Sequence, residues 1–307
     1  MRVLVTGAAG FIGSRIVEEL HAAGHDVVPV VRSARLEGRG AVVGDLREFD
    51  LQPHVDASDV VVHAATVTSG TADDLWAGNA GTTRRVADAA ARAGARLLYL
   101  STTGVYGRSF GTFGDPLRIP RRPGSPLSVA RAAAEDLVFD VGGSVIRPHV
   151  VHGPGDRWVV PKLAGFMLAR NAWLGGPDVQ VAAVSTASLA RGIVALLDRQ
   201  VLPRALHAAD PSPTPVADLV RPYFLAAGRR LPRVALSVDE AMEALGPLGL
   251  SRNALSMLGR SSRMVTDEFW GRTSSSNGAV PTRADDSFAV GRNRRATPAI
   301  FAAKTRT

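Results

Sequence analysis

Hydrophobic and polar positions follow two rhythms along this chain. In the first half, short apolar runs at Val3–Val5, Val27–Val31, Ala41–Val43, Val60–Val62, Leu97–Leu100 and Val145-Ile146 alternate with stretches of helical spacing. The runs are β-branched or apolar with little polar alternation, which is the pattern of strands buried on both faces. Phe11–Ala23 puts Ile12, Ile16, Val17 and Leu20 on one face, and Gly24 stands where a C′ residue ends a helix. Asp73–Ala93 reads as a single helix with Leu75, Asn79, Val86 and Ala90 near one face and Gly94 at its end, and Ser125–Phe139 reads as the next. Repeated strand–helix units predict a parallel sheet with right-handed crossovers, a doubly wound α/β fold.

Beyond about residue 155 the rhythm loosens. Helices are predicted at Pro161–Arg170, Ser188–Leu197 and Pro215–Ala227, the last with Thr214 as N-cap and Pro215 at N1. Ser237-Val238-Asp239-Glu240 is a capping box that opens a helix ending before Gly246-Pro247-Leu248-Gly249, and Ser251 caps a second through Leu258. Met242, Leu245, Leu250, Leu255, Met257 and Leu258 give this hairpin much apolar surface. It reads either as satellite core or as a lid over an apolar ligand. The expected organisation is a dinucleotide-binding domain over 1–155 and a substrate-binding region over 156–272 that carries the lid at 237–260. Residues 273–307, rich in Ser, Arg, Asn and Gly, are expected to form a flexible tail.

Composition narrows the function. Hydrophobic residues make up 46%, enough for a sizeable core, and no apolar run approaches the roughly 20 residues of a membrane span. Met1 and Arg2 lead straight into a strand rather than a signal-peptide pattern, so a cytoplasmic protein without membrane contact is expected. The absence of cysteine removes disulfides, thiolate metal sites and cysteine nucleophiles, and no His, Asp and Glu share metal-ligand spacing, so no metal is expected. The formal net charge of +8 comes almost wholly from arginine, since Lys162 and Lys304 are the only lysines. These arginines are scattered, and the one cluster, Arg292, Arg294 and Arg295, lacks aromatic interleaving, so no nucleic-acid partner is expected. A positive field does suit a phosphorylated cofactor. The expected assembly is a monomer or weak homodimer.

Val5-Thr6-Gly7-Ala8-Ala9-Gly10-Phe11-Ile12-Gly13 follows a predicted strand and opens a predicted helix. Gly7 makes the tight turn, Gly10 admits a pyrophosphate to the backbone, Gly13 allows close helix–strand packing, and Ala9, Phe11 and Ile12 complete the cradle. Strand, loop and helix in that order define a Rossmann-type nucleotide site. The second strand ends in Val31-Arg32-Ser33, where NAD enzymes usually place an acid for the ribose hydroxyls. Arg32, helped by Arg35, suits a ribose phosphate, so NADPH is favoured with NADH left open. Asp45, with Leu46 beside it, follows the third strand and is placed to accept from the adenine amino group.

With these motifs the sequence resembles the extended short-chain dehydrogenase/reductase family, closely over 1–155 and loosely over 156–270. Val62-His63-Ala64-Ala65, continued by Thr66, resembles the segment beside the nicotinamide ribose. Asn79-Ala80-Gly81-Thr82 matches the family's asparagine and glycine-threonine pair, and Ser101-Thr102-Thr103-Gly104-Val105-Tyr106-Gly107 its active-site strand end. Arg147-Pro148 with Gly153-Pro154 resembles the second nicotinamide segment. The resemblance implies a tyrosine acid and a lysine four residues later, but those positions are Leu127 and Arg131. Tyr99, Tyr106 and Tyr223 are the only tyrosines, and none has lysine at i+4.

The resemblance places Thr102 where a hydroxyl would meet a substrate carbonyl and Arg131 at a ribose hydroxyl, although an arginine does not shuttle protons. Leu127 and His149 would line the substrate pocket. His149 is a candidate proton source near neutrality, Ser101 and Ser128 are candidate relays through water, and Tyr106 and His152 are expected to be structural. Without the tyrosine, sugar-nucleotide epimerase or dehydratase chemistry is disfavoured. Two readings stand. One is a reductase of an aromatic polyketide ketone whose adjacent phenol supplies the proton, resembling the ketoreductases that act on angucyclinones in antibiotic pathways. The apolar Phe166, Met167, Leu168 and Trp173 suit such a flat molecule. The other is a dinucleotide-sensing regulator or partner protein on the same fold.

Overall fold

The computed structural model describes residues 1–33, 40–107, 111–243 and 252–271. Seven parallel strands form the central sheet: β1 (Arg2–Thr6), β2 (Asp26–Val31), β3 (Val42–Val43), β4 (Val60–His63), β5 (Arg96–Leu100), β6 (Ser144–Pro148) and β7 (Ala205–Ala208). Their spatial order is β3-β2-β1-β4-β5-β6-β7. The chain reverses direction across the sheet between β1 and β4, and ligands of open α/β sheets sit beyond the strand ends at that switch point. Alternate residues feed opposite faces. Val3, Val5, Val60 and Val62 pack with Ile16, Leu20, Ile193 and Leu196 on one face. Leu4, Val28, Val61 and Leu97 pack with Val86, Ala90 and Val138 on the other.

Helices α1 (Gly13–Ala22), α2 (Thr82–Ala93), α3 (Pro126–Asp140) and, after α4 (Val160–Arg170), α5 (Thr186–Leu197) flank the sheet, whereas α4 and α6 (Val216–Ala226) pack on each other away from it. As expected, Gly24 terminates α1. At φ +79° it lets its own N–H reach His21 and the His25 N–H reach Leu20, a Schellman ending. None of the helices among the described residues is long and apolar enough to cross a membrane.

Three sequence expectations change. The helix expected over Asp73–Ala93 is present as a continuous helical run, but it carries a π-helical turn at Ala77–Gly81 between Ala72–Trp76 and α2. The Asn79 side-chain amide takes the Leu75 and Val67 carbonyls, competing with the helical ladder at that turn. Thr214 does not cap α6: Thr214-Pro215 pairs antiparallel with Gln180-Val181, and Pro215 becomes an N-cap without a side-chain bond. Finally, the sheet takes β7 from residues beyond 155, where no strand was expected.

A separate apolar cluster lies beyond the sheet. It joins Leu163, Phe166, Met167 and Trp173 to Leu219, Phe224, Val238, Leu255 and Leu258. The Ser237 capping box is present, with the Ser237 N–H on the Glu240 carboxylate at 2.7 Å and the Glu240 N–H on Ser237 Oγ at 3.2 Å. The two hairpin helices, Val238–Glu243 and Arg252–Leu258, send Val238, Ala241, Leu255 and Leu258 into this cluster, as the satellite-core reading requires. Leu245, Leu250, the Ser251 cap and the segment 273–307 lie outside the described residues.

Candidate active site

The glycine loop after β1 is shaped by three close approaches, of which those at Gly7 and Gly13 leave no room for a β-carbon. One on Gly7, at φ +70°, would lie 2.6 Å from the Ala65 backbone. One on Gly10 would lie 3.0 Å, and one on Gly13 2.1 Å, from the Gly7 carbonyl oxygen. Gly13 therefore lets the helix start close against the loop itself. Ile12 is the N-cap of α1 without a side-chain bond, and no acidic residue occupies the first turn. An uncapped helix end with this cradle fits a pyrophosphate, which would meet backbone N–H groups and the positive end of the dipole.

At the expected adenosine end, Arg32 is exposed beyond β2 and forms no ion pair among the described residues, while Arg35 lies outside them. Asp45 is gripped by Arg47, whose Nη2 and Nε lie 2.5 and 3.1 Å from Oδ2. Hydrogen bonds from the Arg47 side chain, then from its backbone N–H, hold Asp45 down to about 2, with the charges of Arg47 and Arg32 adding. The carboxylate expected to meet adenine is thus already engaged, and Arg47 is a residue sequence reasoning missed. The signal was present in the local Asp45-Leu46-Arg47 spacing. Leu46 is half-buried, and its carbonyl accepts from Arg85 at 2.9 Å.

The segments expected on the nicotinamide side converge. Ala64 donates to the Thr6 carbonyl at 3.2 Å, which sets Ala65 against Gly7. His63 is buried between the hydroxyls of Thr6, at 2.6 Å, and Thr83, at 3.0 Å. Burial, with the Arg131 charge adding, pushes it down to about 3, so it is neutral. Thr66 donates to Asn79 Oδ1 at 2.8 Å and accepts from Arg131 Nη1 at 2.8 Å. Arg131 Nη2 reaches the Leu100 carbonyl at 2.6 Å, and the guanidinium lies 5.7 Å from the Tyr99 ring centre. Helix α3 thus carries Arg131 to Thr66, two residues the sequence named from distant segments. Asn79 orients the hydroxyl between them.

Thr102 is half-buried after β5, its Oγ1 accepting the Gly104 N–H at 3.1 Å. Leu127 is half-buried in the first turn of α3, which is capped by Ser125 and Ser128. Pro148 is buried at the end of β6. His149 is buried next to it, with Nδ1 2.7 Å from Thr103 Oγ1. The expectation of a proton source near neutrality needs correction: burial lowers His149 to about 4, so it is neutral at pH 7. The serine relays are also corrected. Ser101 Oγ donates to Glu135 at 2.5 Å, and Ser128 is spent on the α3 capping box.

Sequence reasoning missed a polar cluster beneath this surface. The Arg147 guanidinium makes two bonds to the Glu135 carboxylate, at 2.9 and 2.7 Å, and both residues are fully buried. Arg147 also donates to Tyr106 Oη at 2.7 Å, and Tyr106 Oη lies 2.7 Å from His207 Nε2. Burial pushes Tyr106 up to about 12, so it is a packed structural phenol and a poor acid. No signal in either segment announces the pair, because its members come from α3 and β6.

The fold and site define a dinucleotide-binding protein of the doubly wound class. Residues 3–181 match the NAD dependent epimerase/dehydratase family, and the chain belongs to it. The 2-alkyl-3-oxoalkanoate reductase of Stenotrophomonas maltophilia is 29% identical over 268 residues, 80% of this chain and 76% of that protein. A 4-hydroxy-2-methyl-3-oxo-4-farnesyl-3,4-dihydroquinoline-1-oxide ketoreductase of Stigmatella aurantiaca is 28% identical over 217 residues, 65% of each chain. Among solved structures, UDP-glucuronic acid 4-epimerase from Bacillus cereus in complex with NAD superposes with a TM-score of 0.69 at 18% identity, covering 91% of this chain and 94% of that one. That likeness is one of fold. The family and these relatives make the protein an NAD(P)-dependent oxidoreductase or epimerase.

Proposed function

We propose that this protein is an NADPH-dependent ketoreductase that reduces a ketone of an aromatic, angucyclinone-like polyketide in antibiotic biosynthesis, with a phenol of the substrate supplying the proton. The observation that carries the reading is Arg131 seated on Thr66 with Leu127 one turn before it on α3. The position of the family acid thus holds a hydrocarbon, and the cation beside it has both Nη groups engaged. The other candidate donors are already committed: Ser101 to Glu135, Ser128 to its cap, and His149 to the neutral state by burial. A hydroxyl adjacent to the ketone supplies what the chain lacks, within hydrogen-bond reach of the developing alkoxide. Two relatives bearing reductase names support ketone reduction, and the hydrocarbon at Leu127 is what sets it above sugar epimerisation.

When bound, the coenzyme supplies the hydride. The Gly7–Gly13 cradle would hold its pyrophosphate, and Ala64, Ala65, Thr66, Arg131 and Pro148 its nicotinamide side. At the far ribose, Arg32 favours a phosphate because Arg47 occupies the neighbouring acid Asp45. Thr102 would offer its hydroxyl to the ketone oxygen.

The test follows NADPH oxidation with a panel of phenolic polycyclic ketones, each paired with an analogue methylated at the adjacent hydroxyl. Turnover of the free phenols alone is the expected result. Equal turnover of both members would return the proton to a protein group. Tight NADPH binding without oxidation by any ketone would favour the dinucleotide sensor.

A further inference from the structure

The segment between β6 and α4 reaches back to the glycine loop. Trp158 packs on Phe11 with ring centroids 5.7 Å apart, and a β-carbon on Gly155 would lie 3.8 Å from the Phe11 ring. Phe11 belongs to the cradle just described, so this second loop stands at its lip. The path is set by glycines at positive φ, Gly153 at +141° and Gly155 at +89°. Asp156 then spends its carboxylate on the backbone N–H groups of Trp158, Val159 and Val160, at 2.8, 3.1 and 3.0 Å. Its negative charge is thus committed to opening α4. Between that cap and the Phe11 contact stands Arg157, which is exposed, makes no ion pair among the described residues, and lies 6.0 Å from the Trp158 ring centre.

The cradle carries no side-chain cation of its own. No lysine or arginine occurs between Thr6 and Ser14, and Arg15 is bound to Glu18 and Glu19 at 3.0 and 2.7 Å. A helix N-terminus offers only about half an elementary charge, whereas a pyrophosphate brings two negative charges. We propose that Arg157 and Trp158 form a clamp across the dinucleotide, Arg157 pairing with the coenzyme pyrophosphate while Trp158 on Phe11 holds the clamp loop against the cradle. The clamp rests on the dinucleotide reading above and adds residues to it. It recognises the part shared by NADPH, NADH and ADP-ribose, whereas Arg32 recognises the ribose phosphate.

Binding to the full-length protein tests this, using NADPH, NADH, ADP-ribose and 2′-AMP as probes. Arg157→Ala should weaken the first three about tenfold, the scale of one lost charge-assisted bond to phosphate, and leave 2′-AMP unchanged. Arg157 is exposed, so the fold should be retained, with an unchanged melting temperature as the control. In a second variant, Trp158→Phe should retain a ring on Phe11 and lose most of the fluorescence quenching that NADPH produces in the wild type. Unchanged ADP-ribose affinity in Arg157→Ala, an equal loss for 2′-AMP, or undiminished quenching in Trp158→Phe would each overturn the clamp. A wild-type protein that binds none of the four probes would overturn the coenzyme reading itself, and the clamp with it.

Discussion

Glu135→Gln isolates charge from shape at the buried centre of the molecule. Glutamine can still accept from Ser101, which lies 2.5 Å from the carboxylate, but it leaves the Arg147 guanidinium opposite a neutral amide. Arg147 stays ionised, because arginine cannot discharge by shifting its pKa into the working range. Both side chains are fully buried, so solvent does not screen the loss. Breaking one half of such a pair costs about 3–5 kcal/mol, and the retained amide contacts place this change near the low end, about 3 kcal/mol. For a chain of 307 residues, at about 2.1 cal/mol/K of unfolding entropy per residue, that corresponds to a fall in melting temperature of roughly 5 °C. The assay is thermal and urea unfolding of the wild type, Glu135→Gln, Arg147→Met and the double variant. The double variant should be less destabilised than the added singles by about 2 kcal/mol, since removing both charges leaves neither stranded. A single-variant loss below about 1 kcal/mol, or additivity within about 0.5 kcal/mol, would refute the claim that this pair ties α3 to β6.

Gly13→Ala places a β-carbon 2.1 Å from the Gly7 carbonyl and should abolish measurable NADPH binding. Gly24→Ala meets nothing within 4 Å and should cost only about 1–2 kcal/mol of stability from its left-handed backbone, so equal binding by both variants would count against the cradle. Arg32→Ala should weaken NADPH at least tenfold more than NADH, the scale of a lost phosphate contact, and equal losses in titration would remove it from the ribose phosphate. Thr102→Ala should lower turnover several-fold with NADPH affinity unchanged, as expected for one neutral hydrogen bond to the ketone; unchanged kinetics would take it out of the mechanism. His63, His149 and His207 are held neutral by burial, at about 3, 4 and 3, against 6.5 when exposed. Their contribution is therefore complete above pH 6.5 and is lost as pH falls towards 4, at up to about 1.4 kcal/mol per group per pH unit; urea midpoints that stay flat from pH 7 to 5 would contradict it.

How far the sequence reaches depends on whether a feature is local. Strands β1 to β6 could be read because each is a run of β-branched or apolar residues with a turn signal behind it. Strand β7, Ala205-Leu206-His207-Ala208, has no β-branched residue and carries a histidine, so nothing in its composition marks it. It is strand because Ala205–Ala208 finds a ladder on Val145–Pro148, and its His207 finds the phenol of Tyr106. The π turn at Ala77–Gly81 was hidden for the same reason. Asn79 is acceptable within a helix by spacing, and nothing local shows that its amide will take the Leu75 carbonyl together with that of Val67, from the loop after β4.

The same distinction separates the two halves of the site. The pyrophosphate cradle is one short stretch of chain, and its glycine spacing is a steric demand that shows in the residues themselves. The proposed reacting centre instead draws on β4, β5, α3 and β6, so the sequence could name Thr66, Thr102, Arg131 and His149 without saying what each would touch. The contacts change the argument about the proton. Taken alone, His149 is a neutral-range base, and Ser101 and Ser128 are free hydroxyls. In the fold His149 is buried against Thr103, Ser101 is bound to Glu135, and Ser128 caps α3. The loss of tyrosine at Leu127 therefore has no replacement among these three, and that is the physical reason to look for the proton in the substrate.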